Sequence, residues 1–313
     1  VSSSERPRDR RQATSIELRR FRGHDLHRQQ LEHVRVAHLT DLHFGRVTPL
    51  AAQEAAVERV NAEEPDLVVI TGDFVCHSQL YLDQLVATLS RLRAPAFGVL
   101  GNHDHWSGAD EVRWALKKAG VLVLDNANTS LTVRHQRVQL VGLDDSYTGH
   151  ADRARALAGL DPRWATIGLS HIAEEADALW SGGVPLVLSG HTHAGQVTLA
   201  KLHELALGRL VGHKYVHGLY GKRQLDASVP GAVYVGAGIG ASVMPIRLGE
   251  RGRREVTLFE LGAGVPELDE HHAEQAALAG RKPSPELVAK RQAEVHAKMW
   301  KREAAEAKRR LPR

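Results

Sequence analysis

Five short apolar runs in this chain each end in a polar block that carries Asp, Asn or His. Val34 to Leu39 runs into Thr40-Asp41-Leu42-His43, and Leu67-Val68-Val69-Ile70 into Thr71-Gly72-Asp73-Phe74. Ala96 to Leu100 delivers Gly101-Asn102-His103-Asp104-His105, and Thr166-Ile167-Gly168-Leu169 delivers Ser170-His171. The last run, Val184-Pro185-Leu186-Val187-Leu188, opens into Gly190-His191-Thr192-His193-Ala194-Gly195-Gln196. Runs of this length read as strands, and an uninterrupted one as a strand buried on both faces. Sheets built from such strands gather functional side chains outside their C-terminal ends. One block alone would be a turn or a cap. Five together, all of metal-ligating type, point to a single composite site.

Helices fall between the runs. Thr48-Pro49 opens one over Leu50 to Asn61. Leu82, Leu85, Val86 and Leu89 line one face of a second, Leu80 to Leu92. Gly120 stops a third, Ala109 to Ala119. Shorter helices are expected over Asp152 to Ala158 and Glu174 to Trp180. The remaining strands are an edge strand at Ile16 to Phe21, Val121 to Leu124, and late strands at Val233 to Val235 and Glu255 to Leu261. A hairpin is expected from Leu131–Arg134 and Val138–Val141, joined across His135-Gln136-Arg137. Strands alternating with helices, then strands in succession, predict an α/β sandwich with two central sheets.

Charge separates the ends from the middle. Residues 1–22 hold seven Arg against Glu5, Asp9 and Glu17, a net +4. Residues 281–313 hold eleven Lys and Arg against four Glu, a net +7. The whole chain carries only +4, so the body between them stands at −7. This divides the chain into a basic arm without order of its own (1–22), a globular domain (23–265) and a basic tail (266–313). In the tail, a Gly280–Pro285 linker precedes a helix from Glu286 to Arg309. An acidic body with 5% aromatic residues argues against a broad nucleic-acid face. Cys76 is the only cysteine, so no intrachain disulfide is possible, and it reads as a small apolar residue beside an active loop. No apolar stretch approaches the ~18 residues of a membrane span. The expected location is the cytoplasm, with basic ends suited to an anionic inner membrane face.

In type and order the five blocks resemble those of the calcineurin-like metallophosphoesterases: D-x-H, G-D, G-N-H-[DE], H and G-H-x-H. The resemblance covers roughly Val34 to Leu261. It is greatest to a bacterial branch whose last block reads G-H-T-H-G-G-Q. That branch also has segments similar to Lys214 to Tyr220 and Met244-Pro245-Ile246-Arg247. Ala194 stands where the branch usually has Gly, a change expected to matter little. The implied fold is a four-layer α/β/β/α sandwich with two central mixed sheets.

The resemblance also implies a ligand set. Asp41, His43, Asp73 and His193 would hold one metal; Asp73, as a bridge, with Asn102, His171 and His191 would hold a second. The implied cofactors are two divalent or mixed-valence ions of Mn, Fe or Zn, which suit nitrogen and oxygen donors. The implied reaction is hydrolysis of phosphodiesters, and of monoesters as a further class, by attack of a metal-bridging hydroxide. His103 would protonate the leaving group, with Asp104 hydrogen-bonded to it. His105, His217 and Arg247 are candidates for the substrate mouth, as are His150 and His213. The expected partner is a phosphoester small molecule or a lipid-linked substrate. Competing readings are a membrane-surface pyrophosphatase acting on a nucleotide-linked lipid, a non-enzymatic scaffold, and a nuclease.

Overall fold

The computed structural model describes residues 15–195, 211–241, 247 and 250–280, with scattered helical, exposed positions between 286 and 308. Gln196, Met244-Pro245-Ile246 and the apolar positions Leu287, Val288, Val295 and Met299 of the expected tail helix lie outside the described residues.

Two six-stranded sheets face each other. In the first, β1 (Glu17–Arg22) and β12 (Glu255–Leu261) are parallel, and β12 runs antiparallel to β2 (Val34–Leu39). From β2 the sheet continues in parallel through β3 (Leu67–Thr71), β4 (Ala96–Val99) and β5 (Val121–Val123). The second sheet is ordered β10 (Gly218–Gly221), β11 (Ala232–Val235), β9 (Leu186–Ser189), β8 (Ala165–Ser170), β7 (Gln136–Leu143) and β6 (Ala127–Val133). Only its two outermost pairings are antiparallel.

The continuous apolar runs are explained by burial on both faces. Leu67 and Val69 of β3 enter the core between the sheets with Val36, Phe259, Ile167 and Leu188. Val68 and Ile70, one residue out of phase, pack under helices α2 (Leu50–Ala62), α3 (Leu82–Leu89) and α4 (Asn102–Lys118). On the far side, Val141, Val187 and Val233 pack beneath α5 (Arg153–Leu157) and α6 (Ala176–Ser181). The four-layer α/β/β/α arrangement is therefore as expected.

Several local expectations change. The hairpin turn is Arg134-His135, not His135 to Arg137, because Val133 pairs with Gln136. Both turn residues hold positive φ (46° and 70°), as a two-residue turn matched to strand twist requires. The helix expected from Ala109 begins at Asn102 and is broken at Gly108, whose φ of 106° no side chain tolerates well. The short helix α1 (Asp25–Gln30) and strand β10 carry too little periodicity to be read from the sequence.

Both ends of the globular unit also move. The arm assigned to 1–22 includes β1, so residues 17–22 are part of the first sheet. Three of its arginines are used internally: Arg19 on Glu255, Arg20 on Glu63 and Glu260, Arg22 on Glu270. Those charges are therefore neutralised within the fold. Of the tail assigned to 266–313, residues 266–280 form a strap along the body. Gln275 N–H donates to Leu219 O (2.8 Å) beside edge strand β10, and Leu278 N–H to Lys214 O (2.9 Å). Glu270 and Glu274 clasp Arg223, which is 7% exposed. Among the described residues no helix is long and apolar enough to cross a membrane.

Candidate metal centre

The C-terminal ends of β2, β3 and β4 in one sheet and of β8 and β9 in the other bring the five blocks together. Asp41, His43, Asp73, Asn102 and His171 are at most 2% exposed, and His193 is 8% exposed. One oxygen or nitrogen from each of Asp41, His43, Asp73 and His193 lies within 4.8 Å of the others.

The framework uses one side of each group and leaves the other side facing inward. Asp41 Oδ2 accepts from Thr40 Oγ1 (2.8 Å) and from His191 N–H (3.1 Å). Its Oδ1 takes no hydrogen bond and faces His193 Nε2 (3.4 Å) and His43 Nε2 (3.8 Å). His171 Nδ1 donates to Thr71 O (2.8 Å), which fixes the ring and turns Nε2 toward Asp73 (3.4 Å). Gly190 permits this closeness, since a Cβ there would run into Thr40 Oγ1 and Asp41 Oδ2.

Asp73 stands between two imidazole pairs. Its Oδ2 lies 3.5 Å from His43 Nε2, which is 3.0 Å from His193 Nε2. Its Oδ1 accepts from His103 N–H (3.0 Å) and faces His171 Nε2, which is 3.2 Å from His191 Nδ1. The turn after β4 is thereby drawn against Asp73 and carries buried Asn102, whose Oδ1 has no hydrogen-bond partner.

These residues fit cations. The buried acceptor oxygens Asp41 Oδ1 and Asn102 Oδ1, which have no donors, are costly alone. A positive centre satisfies both. The carboxylates call for positive charge here: burial opposes charge on His171, yet Asp73, Asp41 and Asp145 hold its pKa up to about 10, so its ring takes a proton that a cation would displace. Burial, together with neighbouring histidines, pushes His43, His103 and His191 well below the ordinary 6.5. Neutral imidazoles beside surplus carboxylate are the chemistry a metal ion needs.

The backbone is strained to achieve this. Asp41, His43, Asp73, His191 and His193 all hold φ between 45° and 76°, a region costing of order 1–3 kcal/mol per non-glycine residue. Ala194 shares it at 52°, so its departure from glycine is not neutral and costs about 1–2 kcal/mol.

Four of the expected residues have other partners in the structure. Asp104 does not hold His103: its carboxylate accepts from Gly101 N–H (2.9 Å) and Val75 N–H (3.1 Å), capping α4 from within. His217 is fully buried with Nε2 3.2 Å from Glu255 Oε2. Arg247 is spent on the backbone carbonyls of Ala237, Gly240 and Gly252. It thereby supports the turn whose Gly240 N–H donates to Asp41 O (2.6 Å). His105 is tied to Asp144 Oδ1 (2.7 Å) and stacked on His150 at 4.0 Å. His103 itself sits at the rim, between His43 (4.8 Å) and Trp106 (5.0 Å). Cys76 is closer than expected, with its sulfur within 4.8 Å of a ring nitrogen of His43 and one of His103. Residues missed from the sequence are Trp106 and Tyr147, which carry no block signature, and the buried Glu255, an acidic residue at the start of a strand.

The chain belongs to the calcineurin-like phosphoesterase family, whose model it matches over residues 34–195. It is 30% identical over 235 residues to phosphodiesterase YaeI of Escherichia coli (strain K12), covering 72% of this chain and 82% of that protein. It is 29% identical over 234 residues to the uncharacterized metallophosphoesterase YkuE of Bacillus subtilis (strain 168), covering 72% and 78%. A transmembrane protein with metallophosphoesterase domain from Bos taurus is 32% identical over 249 residues, and the chain spans 53% of its length.

Proposed function

We propose that this protein is a dinuclear metal-dependent phosphodiesterase of the bacterial branch whose last block reads G-H-T-H-G-G-Q. The observation that carries the proposal is the Asp73 carboxylate, with one oxygen turned to the His43–His193 pair and the other to His171–His191. In this reading Asp41, His43, Asp73 and His193 would hold one ion, and Asp73, Asn102, His171 and His191 would hold the other. When bound, such a pair supplies Lewis-acid activation of water and neutralises charge on the phosphoryl oxygens. The catalytic unit runs from β1 through the strap, about residues 16–280.

His103 is the group placed to move a proton at the leaving oxygen. Its backbone N–H is anchored on Asp73 (3.0 Å), while its side chain is 12% exposed at the rim. Burial and the surrounding histidines disfavour its charged form in the free site. An anionic substrate beside it favours the proton that the leaving oxygen needs. The name of the E. coli relative supports a diester as substrate.

The test is hydrolysis by metal-analysed protein across aryl diesters, aryl monoesters, cyclic nucleotides, a nucleotide-diphosphate lipid and single-stranded DNA. Metal-dependent turnover of aryl diesters above the other classes is the expected result. Selective turnover of the lipid would replace this reading with the pyrophosphatase. Absence of turnover at two ions per chain would leave the scaffold.

A further inference from the structure

Two half-buried aromatic side chains stand beside the site, Trp106 and Tyr147. Trp106 follows His103 by three residues in the first turn of α4, so both lie on one face of it. Its ring is 5.0 Å from His103 and lies within 19° of parallel to His77 at 6.1 Å. Tyr147 meets Trp106 edge to face at 6.2 Å and is 5.5 Å from His191. The pair thus spans the rim from the His103 side of the centre to the His191 side.

Both rings are mounted on rigid turns. Asp104 fixes Trp106's turn through Gly101 N–H and Val75 N–H, and Gly108 breaks the helix just beyond it. Tyr147 sits in the turn Asp144 to His150. There Asp145 Oδ2 accepts from Thr148 N–H (2.7 Å) and Oγ1 (2.7 Å), and His150 N–H donates to Asp145 O (2.9 Å). The contact between His105 and Asp144 ties one turn to the other, with Arg113 3.6 Å behind. Aromatic rings held this way offer a preorganised planar surface at low entropic cost.

We propose that Trp106 and Tyr147 form an aromatic clamp that selects phosphoesters bearing a planar aromatic group, an aryl ring or a nucleobase, next to the scissile phosphate. The proposal rests on the phosphodiesterase reading above. It adds a substrate class, because a group on the leaving oxygen beside His103 lies within stacking reach of Trp106.

The experiment uses the Mn²⁺-loaded full chain and measures calorimetric affinity for ethyl phosphate, phenyl phosphate and adenosine 5′-monophosphate. Stacking on one aromatic side chain is worth about a tenfold difference in affinity. The wild type should bind the two aromatic esters about tenfold tighter than ethyl phosphate. Trp106→Leu and Tyr147→Leu should each shrink that gap to about twofold, while Trp106→Phe keeps most of it. Tighter binding of the adenosine ester than of the phenyl ester marks a nucleobase as the natural group; equal binding marks the ring alone. No gap in the wild type, or a gap untouched by both leucine variants, overturns the clamp. If Trp106→Leu does not fold, Tyr147→Leu decides. Failure of the phosphodiesterase reading is distinguishable: the same metal-loaded protein would then fail to turn over an aryl diester, whatever the three affinities.

Discussion

Replacing Asp73 by Asn keeps the size of the side chain and removes one charge from the centre of the candidate site. The two carboxylate oxygens serve different neighbours: Oδ1 takes the His103 N–H at 3.0 Å, and Oδ2 faces His43. An amide has one acceptor oxygen and an NH₂ that only donates. If its oxygen keeps the His103 N–H, the NH₂ points at the His43–His193 side, where it repels a cation. The reverse orientation sets NH₂ against the His103 N–H and releases the turn that carries Asn102. The first orientation costs less, so the ion beside Asp41, His43 and His193 should be lost first. Removing one partner of a buried charge pair costs about 3–5 kcal/mol. At about 1.4 kcal/mol per tenfold, that ion should bind about 10²–10⁴-fold more weakly. The assay is metal stoichiometry by elemental analysis and titration, with turnover of an aryl phosphodiester, on protein whose melting curve shows it folded. The expected result is no more than one tightly held ion and near-complete loss of turnover. Two ions at wild-type affinity with near-wild-type turnover would refute the assignment of Asp73 as the bridge.

Asp104→Asn should cost about 1–3 kcal/mol of stability by leaving one of the N–H groups of Gly101 and Val75 without its acceptor. It should keep the wild-type dependence of rate on leaving group, whereas His103→Ala should slow esters with poor leaving groups ~10²–10⁴-fold more than activated ones. If Asp104→Asn mimics His103→Ala, the capping role is wrong. Ending the chain at Gly280 preserves the clasp of Glu270 and Glu274 on Arg223 and should leave turnover of soluble aryl esters within about tenfold. Ending it at Gly264 strands a buried arginine and should cost about 3–5 kcal/mol, read as a lower melting temperature. Equal melting of the two truncations would show that the strap contributes nothing. Glu255 lies 2.5 Å from Arg19 Nε as an ion pair and accepts from Tyr234 Oη (2.8 Å) and Ala237 N–H (2.9 Å). Burial pushes its carboxyl up, but His217 and Arg19 outweigh burial and bring its pKa below the ordinary 4.5. A lowered carboxyl pKa stabilises the native state above the ordinary value and loses that effect as pH falls through the native one. The melting-temperature gap between wild type and Glu255→Gln should therefore be full at neutral pH and narrow below about pH 4.5. A gap that is constant into acid would exclude the ion pair as its source.

The blocks themselves are local features. Each candidate ligand follows its apolar run by a few residues, so strand type, chain direction and the end of the strand that carries the site were legible from the sequence alone. The same runs determined the two-sheet architecture, because strands apolar on both faces must be covered on both. What the linear chain does not contain is which distant groups meet. Asp104 reads as a partner of its neighbour His103, but the folded turn gives its carboxylate two nearer N–H donors at Gly101 and Val75. His217 and Arg247 read as polar residues for a substrate. Tertiary packing buries one against Glu255, 38 residues away, and spends the other on backbone carbonyls. Arg19 looks like one charge of a basic arm until β1 pairs with β12 and places it over Glu255. Trp106 and Tyr147, 41 residues apart in the chain, become neighbours only when two separate turns are tied through His105 and Asp144. Periodicity reports which face of an element is apolar, a property of consecutive residues. Buried charge pairs, caps and aromatic pairs depend on distances across elements, and only the packed sheets determine those.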